Sequence, residues 1–350
     1  MRIGAIACAL LAAIAAVGCA SSAHSDRAAR LSAPIAPGSV AAGLTVDAAT
    51  EDRILALVPE RISREDVEQT LALGPAPRII AVQGSIPFVT MKPFAQFLIA
   101  MGYPESRIRN PRDGTYSYSG YSDSAELAGS LAWYYERDGV MPILIGHSRG
   151  GMVVIKVLHE LAGEFGDKIA VWNPLTDEPE NRITIRDPIT GAERPVVGLK
   201  VGYAAAIATG KLPRMLLGEW TMLPRLRKIP DTVEEFTGFF IEWDLIAGTL
   251  GGAEPYRPEG SAAVRNVTLP ADYSHIAIPM TEHLALHGAT RNWINKYVPG
   301  DLPPTFPASL NVDATNILHA AELWYSIKKH WCQEAQSLIR AKRARVAAGG

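Results

Sequence analysis

A pentapeptide of the form Gly-x-Ser-x-Gly, residues 146–150, separates two segments of different character. The apolar run 140–145 before it is typical of a buried strand, and residues 151–158 after it are typical of an amphipathic helix. A strand that turns directly into a helix holds the central residue, Ser148, in a strained backbone conformation. The pattern predicts a serine hydroxyl above the edge of a sheet, beside a helix N-terminus that favours negative charge. The alternative is a glycine-rich turn with an inert serine.

Apolar runs and helical patterns alternate along the chain on both sides of this turn. The predicted strands cover 79–82, 140–145, 197–209, 235–242 and 263–269. The predicted helices cover parts of 51–73, then 93–101, 125–138, 151–158, 212–226 and 313–345, and turn-forming residues in 173–195 indicate a hairpin. Because the strands lack polar alternation, they indicate an α/β fold with a mostly parallel sheet and helices on both faces.

The first 18 residues are expected to be a signal peptide rather than part of the fold. Arg2 precedes an apolar run, 3–17, which is shorter than the roughly 20 residues that a transmembrane helix needs. The residues around Cys19 resemble the lipobox of bacterial lipoproteins, although Ala16 stands where that family usually has leucine. The resemblance implies lipidation of Cys19 and a membrane-anchored protein of the bacterial cell envelope. The alternative is an ordinary secretory signal and a secreted protein.

Residues 19–50 are rich in Ala, Ser, Pro and Gly without periodicity, and they are interpreted as a flexible tether. The chain of 350 residues then has one predicted domain, 51–350. Its formal net charge of −2 and the lack of a basic stripe argue against a nucleic-acid partner. Of the three cysteines, Cys8 lies in the predicted signal peptide and Cys19 would be lipidated, so no intramolecular disulfide is expected. The remaining Cys332 is expected to be buried.

A serine hydroxyl needs a base to accept its proton, and the base needs a carboxylate that orients it. With Ser148 in its turn, residues 78–298 resemble the α/β-hydrolase superfamily of lipase-like and esterase-like serine hydrolases. The triad of that superfamily runs Ser, acid, His along the chain. The resemblance implies that Ser148 is the nucleophile, Asp244 the acid after a late strand, and His275 the base in the loop after the last strand.

Other residues compete for these roles. Glu242 is the second candidate for the acid, whereas Asp231 is expected to cap a helix. His283 is the second candidate for the base. His283 and His287 lie one helical turn apart, but Glu282 does not complete an H-E-x-x-H motif, so a zinc site is a weak hypothesis.

The resemblance also implies an oxyanion hole made by two backbone N–H groups. One belongs to Arg149, the residue after the nucleophile. The second is assigned to Ser85, in the turn where the family often carries His-Gly and this chain has Gln83-Gly84. His147 is interpreted as a packing residue.

The family commonly inserts a cap after the nucleophile helix, and residues from about 172 to 234 occupy that place. The apolar residues of 212–226 belong either to a lid over the site or to a helix docked on the sheet. The expected function is hydrolysis of small-molecule or lipid carboxylic esters, with no metal or other cofactor. The alternatives are a non-catalytic lipoprotein with the same fold, or an amidase, thioesterase or perhydrolase that uses the same triad; the oligomeric state is left open.

Overall fold

The computed structural model describes residues 46–210, 218–248, 254–300 and 313–349. The predicted signal peptide, Cys19 and most of the predicted tether lie outside these ranges. The described α-helices are α1 (Ala48–Ala56), α2 (Arg64–Gln69), α3 (Lys92–Ala100), α4 (Ser124–Asp138), α5 (Arg149–Leu161), α6 (Glu282–Leu286), α7 (Gly288–Lys296) and α8 (Ile317–Gly349). The domain starts slightly earlier than predicted, since Asp47 caps α1.

The centre of the molecule is a sheet of five parallel strands in the order β1-β2-β7-β9-β11. These strands are β1 (Ile79–Val82), β2 (Ile143–His147), β7 (Val201–Ile207), β9 (Val233–Ile241) and β11 (Ala263–Leu269). Three two-stranded sheets are formed by β3 (Trp172–Asn173) with β4 (Glu178–Pro179), β5 (Thr184–Arg186) with β6 (Glu193–Pro195), and β8 (Lys228–Ile229) with β10 (Arg257–Pro258). The predicted α/β class and parallel sheet are confirmed.

Helices cover both faces of this sheet. Side chains alternate along a strand, so Ile79 and Ala81 pack on one side with α3 and α8, while Ile80 and Val82 pack on the other side with α4 and α5. The first four of these strands are therefore buried on both faces, which explains why their sequences show apolar runs without polar alternation. Strand β11, at the edge of the sheet, is mostly exposed or half-buried. The carboxyl ends of all five strands lie at one edge, where ligands of such sheets usually bind.

Three predicted elements begin later than expected: strand β7 begins at Val201 instead of residue 197, and two others are delayed for local reasons. Strand β2 begins at Ile143 instead of residue 140, because Pro142 has no N–H with which to join the sheet. Helix α8 begins at Ile317 instead of residue 313, after Asn316 adopts a left-handed conformation with φ of 68°. The expected packing of this helix is confirmed, since Trp324, Trp331 and Cys332 are fully buried.

The range 172–234 is not one continuous cap insertion, which corrects the expected boundaries. Strand β7 lies inside that range and is the middle strand of the central sheet, whereas the hairpins β3–β4 and β5–β6 precede it. The expected long helix over 212–226 is also wrong in its described part. Residues 211–217 are outside the described ranges, and beyond them Trp220–Met222 form a short 3₁₀ helix. Gly218, with φ of 77°, and Pro224 prevent a longer regular helix.

No helix within the described ranges combines the length and the apolar character needed to cross a bilayer.

Candidate active site

Ser148 lies between strand β2 and helix α5 with φ of 54° and ψ of −118°, a conformation that non-glycine residues rarely adopt. The surrounding structure holds this strained residue at both backbone groups. Its N–H donates to the carbonyl of Ile207 at 2.8 Å, and its carbonyl accepts from the Thr209 hydroxyl at 3.0 Å. Both contacts come from the end of the neighbouring strand β7, so the sheet fixes the turn.

The glycines of this turn allow a very close approach of backbone to backbone. A Cβ atom on Gly146 would overlap the backbone of Gly150, and one on Gly150 would overlap the carbonyl of Val82. A Cβ on Gly151 would overlap the hydroxyl of Thr209. Glycine is therefore required at these positions for steric reasons, because any side chain would prevent the tight turn from strand to helix.

His275 and Asp244 meet at Ser148. The Oγ of Ser148 lies 2.9 Å from Nε2 of His275, and Nδ1 of His275 lies 2.7 Å from Oδ2 of Asp244. All three residues are buried. Since a carboxylate only accepts, His275 carries its proton on Nδ1 and presents an unprotonated Nε2 to the serine hydroxyl. This is the arrangement needed to remove a proton from Ser148.

Asp244 lies in the loop after β9, beyond a sharp change of direction at Trp243, whose φ is 60°. Its second carboxylate oxygen accepts from the N–H groups of Ile246 and Ala247 at 3.0 and 2.9 Å. Burial by itself raises the pKa of Asp244, but the hydrogen bonds from His275 and from these amides outweigh it and hold the pKa below its usual 3.8. The carboxylate therefore stays charged at neutral pH.

The loop that carries His275 is fastened from two sides. The side-chain amide of Asn316 donates to the carbonyls of Ala277 and Met280 at 2.8 and 3.1 Å. On the other side, Nε2 of His147 lies 2.8 Å from the carbonyl of His275 and donates to it. His147 is buried as expected, and it also contacts the backbone of His275, the candidate base.

The turn expected to complete an oxyanion hole lies beside the nucleophile. A Cβ atom on Gly84 would lie 3.1 Å from Cβ of Ser148, so residues 83–85 pass directly over the serine. Within the described residues, the N–H groups of Ser85 and Arg149 donate to no backbone carbonyl. Arg149 is the first residue of helix α5, where the N–H groups and the helix dipole attract negative charge. Among the described residues, both amides therefore lack a hydrogen-bond acceptor, as the expected role requires.

The other candidate acids lie elsewhere. Glu242 is exposed, whereas Asp244, on the other side of the turn at Trp243, is buried. Asp231 does not cap a helix, which corrects that expectation. Its carboxylate accepts from the amide and the hydroxyl of Ser261 and from Lys200.

The other candidate bases also lie away from the serine. His283 is in α6, with Nε2 3.9 Å from the carboxylate of Asp313. The expectation that His283 and His287 share one helix face is wrong, since α6 ends at Leu286 and His287 has extended backbone dihedrals. This break removes the i, i+4 geometry on which the zinc hypothesis depended.

Three residues that position the site are not identifiable from the sequence pattern. Thr209 holds the carbonyl of Ser148, Asn316 holds the loop of His275, and His147 holds His275 itself. The one available signal is that Thr209 is the last residue of the predicted strand 197–209, at the end where site residues concentrate.

The chain matches no model of a known protein family, and no curated protein is detectably similar to it.

Proposed function

We propose that the protein is a serine hydrolase with the α/β-hydrolase fold that cleaves carboxylic esters. One observation carries the proposal: at a strained strand–helix turn, the Ser148 hydroxyl contacts an imidazole that a buried carboxylate orients from the other side. A structural serine needs neither the strain nor the oriented base. Such strain costs about 1–3 kcal/mol and persists mainly at sites of function.

In the first half of the reaction, Oγ of Ser148 attacks the ester carbonyl carbon while Nε2 of His275 accepts the hydroxyl proton. The carbonyl oxygen becomes an oxyanion, which the N–H groups of Arg149 and Ser85 stabilise. When the tetrahedral intermediate collapses, the bond to the alkoxy oxygen breaks. His275 donates its Nε2 proton to that oxygen, the alcohol leaves, and Ser148 remains acylated.

In the second half, water attacks the acyl carbon while His275 accepts its proton. Collapse of the second tetrahedral intermediate breaks the bond to Oγ of Ser148, which regains its proton from His275, and the carboxylic acid leaves. Asp244 stabilises the positive imidazolium in both halves and keeps His275 in the required tautomer. Apart from the ester and water, these reaction steps use side chains and backbone amides of the chain.

The exposed apolar side chains beside the triad favour a substrate ester that has an apolar acyl or alkyl group. Trp243 and Leu245 flank Asp244 and are 66% and 69% exposed, and Ile276 follows His275 and is 38% exposed. Large apolar side chains around a reactive serine favour apolar acyl or alkyl groups of a small-molecule or lipid substrate.

A fluorophosphonate probe tests the proposal, because it phosphonylates activated serines. We expect labelling of the wild-type protein, none of Ser148→Ala, and unchanged labelling of Ser106→Ala, which alters an exposed serine outside the site. Turnover of nitrophenyl esters of increasing acyl length then identifies the substrate class. If the folded wild-type protein neither reacts with the probe nor cleaves any of these esters, the proposal is wrong and a binding function on the same fold replaces it.

We also propose that the enzyme is exported and anchored in the bacterial cell envelope through lipid on Cys19. The support is the apolar segment 3–17 followed by Cys19. Several acyl chains on one residue bind a membrane far more strongly than a single chain does. Labelling of cells with a clickable fatty acid is expected to mark the wild-type chain but not Cys19→Ser, which distinguishes an anchored form from a freely secreted one.

A further inference from the structure

Arg149 buries its side chain beside the nucleophile, although arginine is seldom buried. Its Nε donates to the carbonyl of Gly120 at 2.8 Å, and Nη2 donates to Glu219 at 3.1 Å. The guanidinium also stacks on Tyr121, with its central carbon 4.3 Å from the ring centre. Nη1 has no hydrogen-bond partner among the described residues. Because burying a cation is costly, these contacts need an explanation beyond stability.

Gly120 and Tyr121 belong to a segment that lies against the oxyanion turn. The N–H of Tyr118 donates to the carbonyl of Ala81 at 2.8 Å, and the N–H of Gln83 donates to the carbonyl of Tyr118 at 3.0 Å, so the segment pairs with the end of β1. A Cβ atom on Gly120 would overlap the carbonyl of Gln83. Residues 118–121 thus form the support on which residues 83–85 rest.

We propose that the Arg149 side chain is a positioning residue for the oxyanion hole. Its backbone N–H is one proposed donor, and its guanidinium, through Gly120 and Tyr121, fixes the turn that carries the second donor, the amide of Ser85. One residue therefore sets the distance between the two donors. The inference rests on the proposed function, and it assigns to the side chain a role separate from that of the amide.

Substitution at Arg149 leaves its backbone amide in place and therefore tests the side chain alone. We expect Arg149→Met to lower kcat by about 30-fold with KM within threefold, since weakening one donor costs less than the roughly 100-fold or more lost on removing it. Arg149→Lys keeps the charge but loses the contact of Nε with Gly120, and a decrease of about tenfold is expected. The matched control is Lys156→Met, because Lys156 also binds Glu219, at 3.3 Å, but among the described residues no hydrogen bond or ring contact joins it to Gly120 or Tyr121. Its kcat should stay within twofold of wild type.

An alkylboronic acid provides a readout that a merely structural role would not change. It forms a tetrahedral adduct with the serine, and one adduct oxygen occupies the position of the oxyanion. We expect its inhibition constant to increase across the Arg149 variants in proportion to the loss of kcat/KM. If Arg149 only stabilised the fold, the fraction of active enzyme would decrease, while the inhibition constant of the remaining active enzyme would stay unchanged.

The proposal is overturned if Arg149→Met keeps kcat within threefold of wild type, if only its KM changes, or if boronate affinity stays constant while kcat falls. If Arg149→Met does not fold, Arg149→Lys and Tyr121→Leu are judged by the same two measurements. Tyr121→Leu removes the stacked ring without altering Arg149. These outcomes are distinguishable from failure of the proposed function, in which the wild-type protein itself has no esterase activity.

Discussion

The imidazole of His147 donates a hydrogen bond of 2.8 Å to the backbone carbonyl of His275. The residue that precedes the candidate nucleophile therefore holds the candidate base in place. The ring centres of the two histidines are 5.1 Å apart. Burial, followed by the neighbouring His275, lowers the pKa of His147 to about 3, so His147 is uncharged at neutral pH. The contact should therefore not change with pH near neutrality.

His147→Phe should lower kcat, because the carbonyl of His275 loses its donor and the loop can shift. An unsatisfied buried acceptor costs about 1–3 kcal/mol, and a comparable loss of transition-state stabilisation corresponds to about a 5- to 150-fold decrease in rate. His147→Gln retains an N–H donor at a similar distance and should lose less activity. Steady-state kinetics of both variants test this, and equal activity of the two would show that the hydrogen bond has no role.

Asp244→Asn should lower kcat by about 10⁴-fold with little change in KM, since an amide that donates to Nδ1 imposes the wrong histidine tautomer. The matched control is Glu242→Gln, which removes a nearby but exposed carboxylate and should leave kcat unchanged. Measuring both with one nitrophenyl ester separates the effect of the oriented acid from that of local charge. A similar loss in both variants would contradict the assignment of Asp244.

The elements that carry the candidate site could be predicted from the sequence because their signals are local. The glycines around Ser148, the apolar run before it and the amphipathic run after it all lie within about 20 consecutive residues. The turns bearing Asp244 and His275 likewise follow predicted strands, 235–242 and 263–269. Local patterns were therefore sufficient to predict that these residues lie at one edge of the sheet.

The supporting contacts could not be predicted, because they join residues far apart in the chain. His147 and His275 are separated by 128 positions, and Asn316 lies 39 positions from Ala277. Such pairs depend on how helices and loops pack, which a single sequence does not encode visibly. The error over 212–226 has another cause: apolar residues occur there at helical spacing, but Gly218 and Pro224 break the backbone pattern that a helix needs.

Gly84→Ala should lower kcat by about tenfold without unfolding the protein. The added methyl carbon would lie 3.1 Å from Cβ of Ser148 and 3.4 Å from Nδ1 of His147, so the turn must retreat by a few tenths of an ångström. This shift would weaken the proposed donor in the turn, the amide of Ser85. Weakening a donor should cost less than the roughly 100-fold loss of rate expected when a donor is removed. Gly288→Ala is the control, since its methyl group would enter open space. Equal kcat in both variants would show that the turn does not contribute to the reaction.

Glu334 should make the protein less stable as the pH increases. Burial raises its pKa from 4.5 to about 7, and its carboxylate accepts only one described hydrogen bond, from the N–H of Met141 at 2.7 Å. Because the folded state has the higher pKa, it binds more protons than the unfolded state between about pH 4.5 and 7. The contribution of Glu334 to stability is therefore largest below pH 4.5 and falls as the pH rises to about 7.

Glu334→Gln tests this dependence, because the amide keeps an acceptor for Met141 but cannot ionise. Its free energy of unfolding relative to wild type should rise between pH 5 and pH 8, by at most about 3 kcal/mol for a shift of this size. Urea unfolding at the two pH values measures the difference. Glu242→Gln, at an exposed position, should show no such pH-dependent difference, and a parallel behaviour of the two variants would contradict the role of burial.

Trp243 and Leu245 should determine the preference for long acyl chains. Both are large, exposed and adjacent to Asp244, and Trp243 is held at a positive φ that only a structural constraint sustains. Each buried methylene of a substrate contributes about 0.8 kcal/mol, so loss of apolar contact affects long chains more than short ones. Leu245→Ser should therefore lower kcat/KM for a nitrophenyl decanoate several-fold while leaving the acetate almost unchanged. Val346→Ser, which alters an exposed apolar residue near the end of α8, is the control. A uniform loss across all chain lengths in Leu245→Ser would assign that residue to the support of Asp244 instead of to substrate binding.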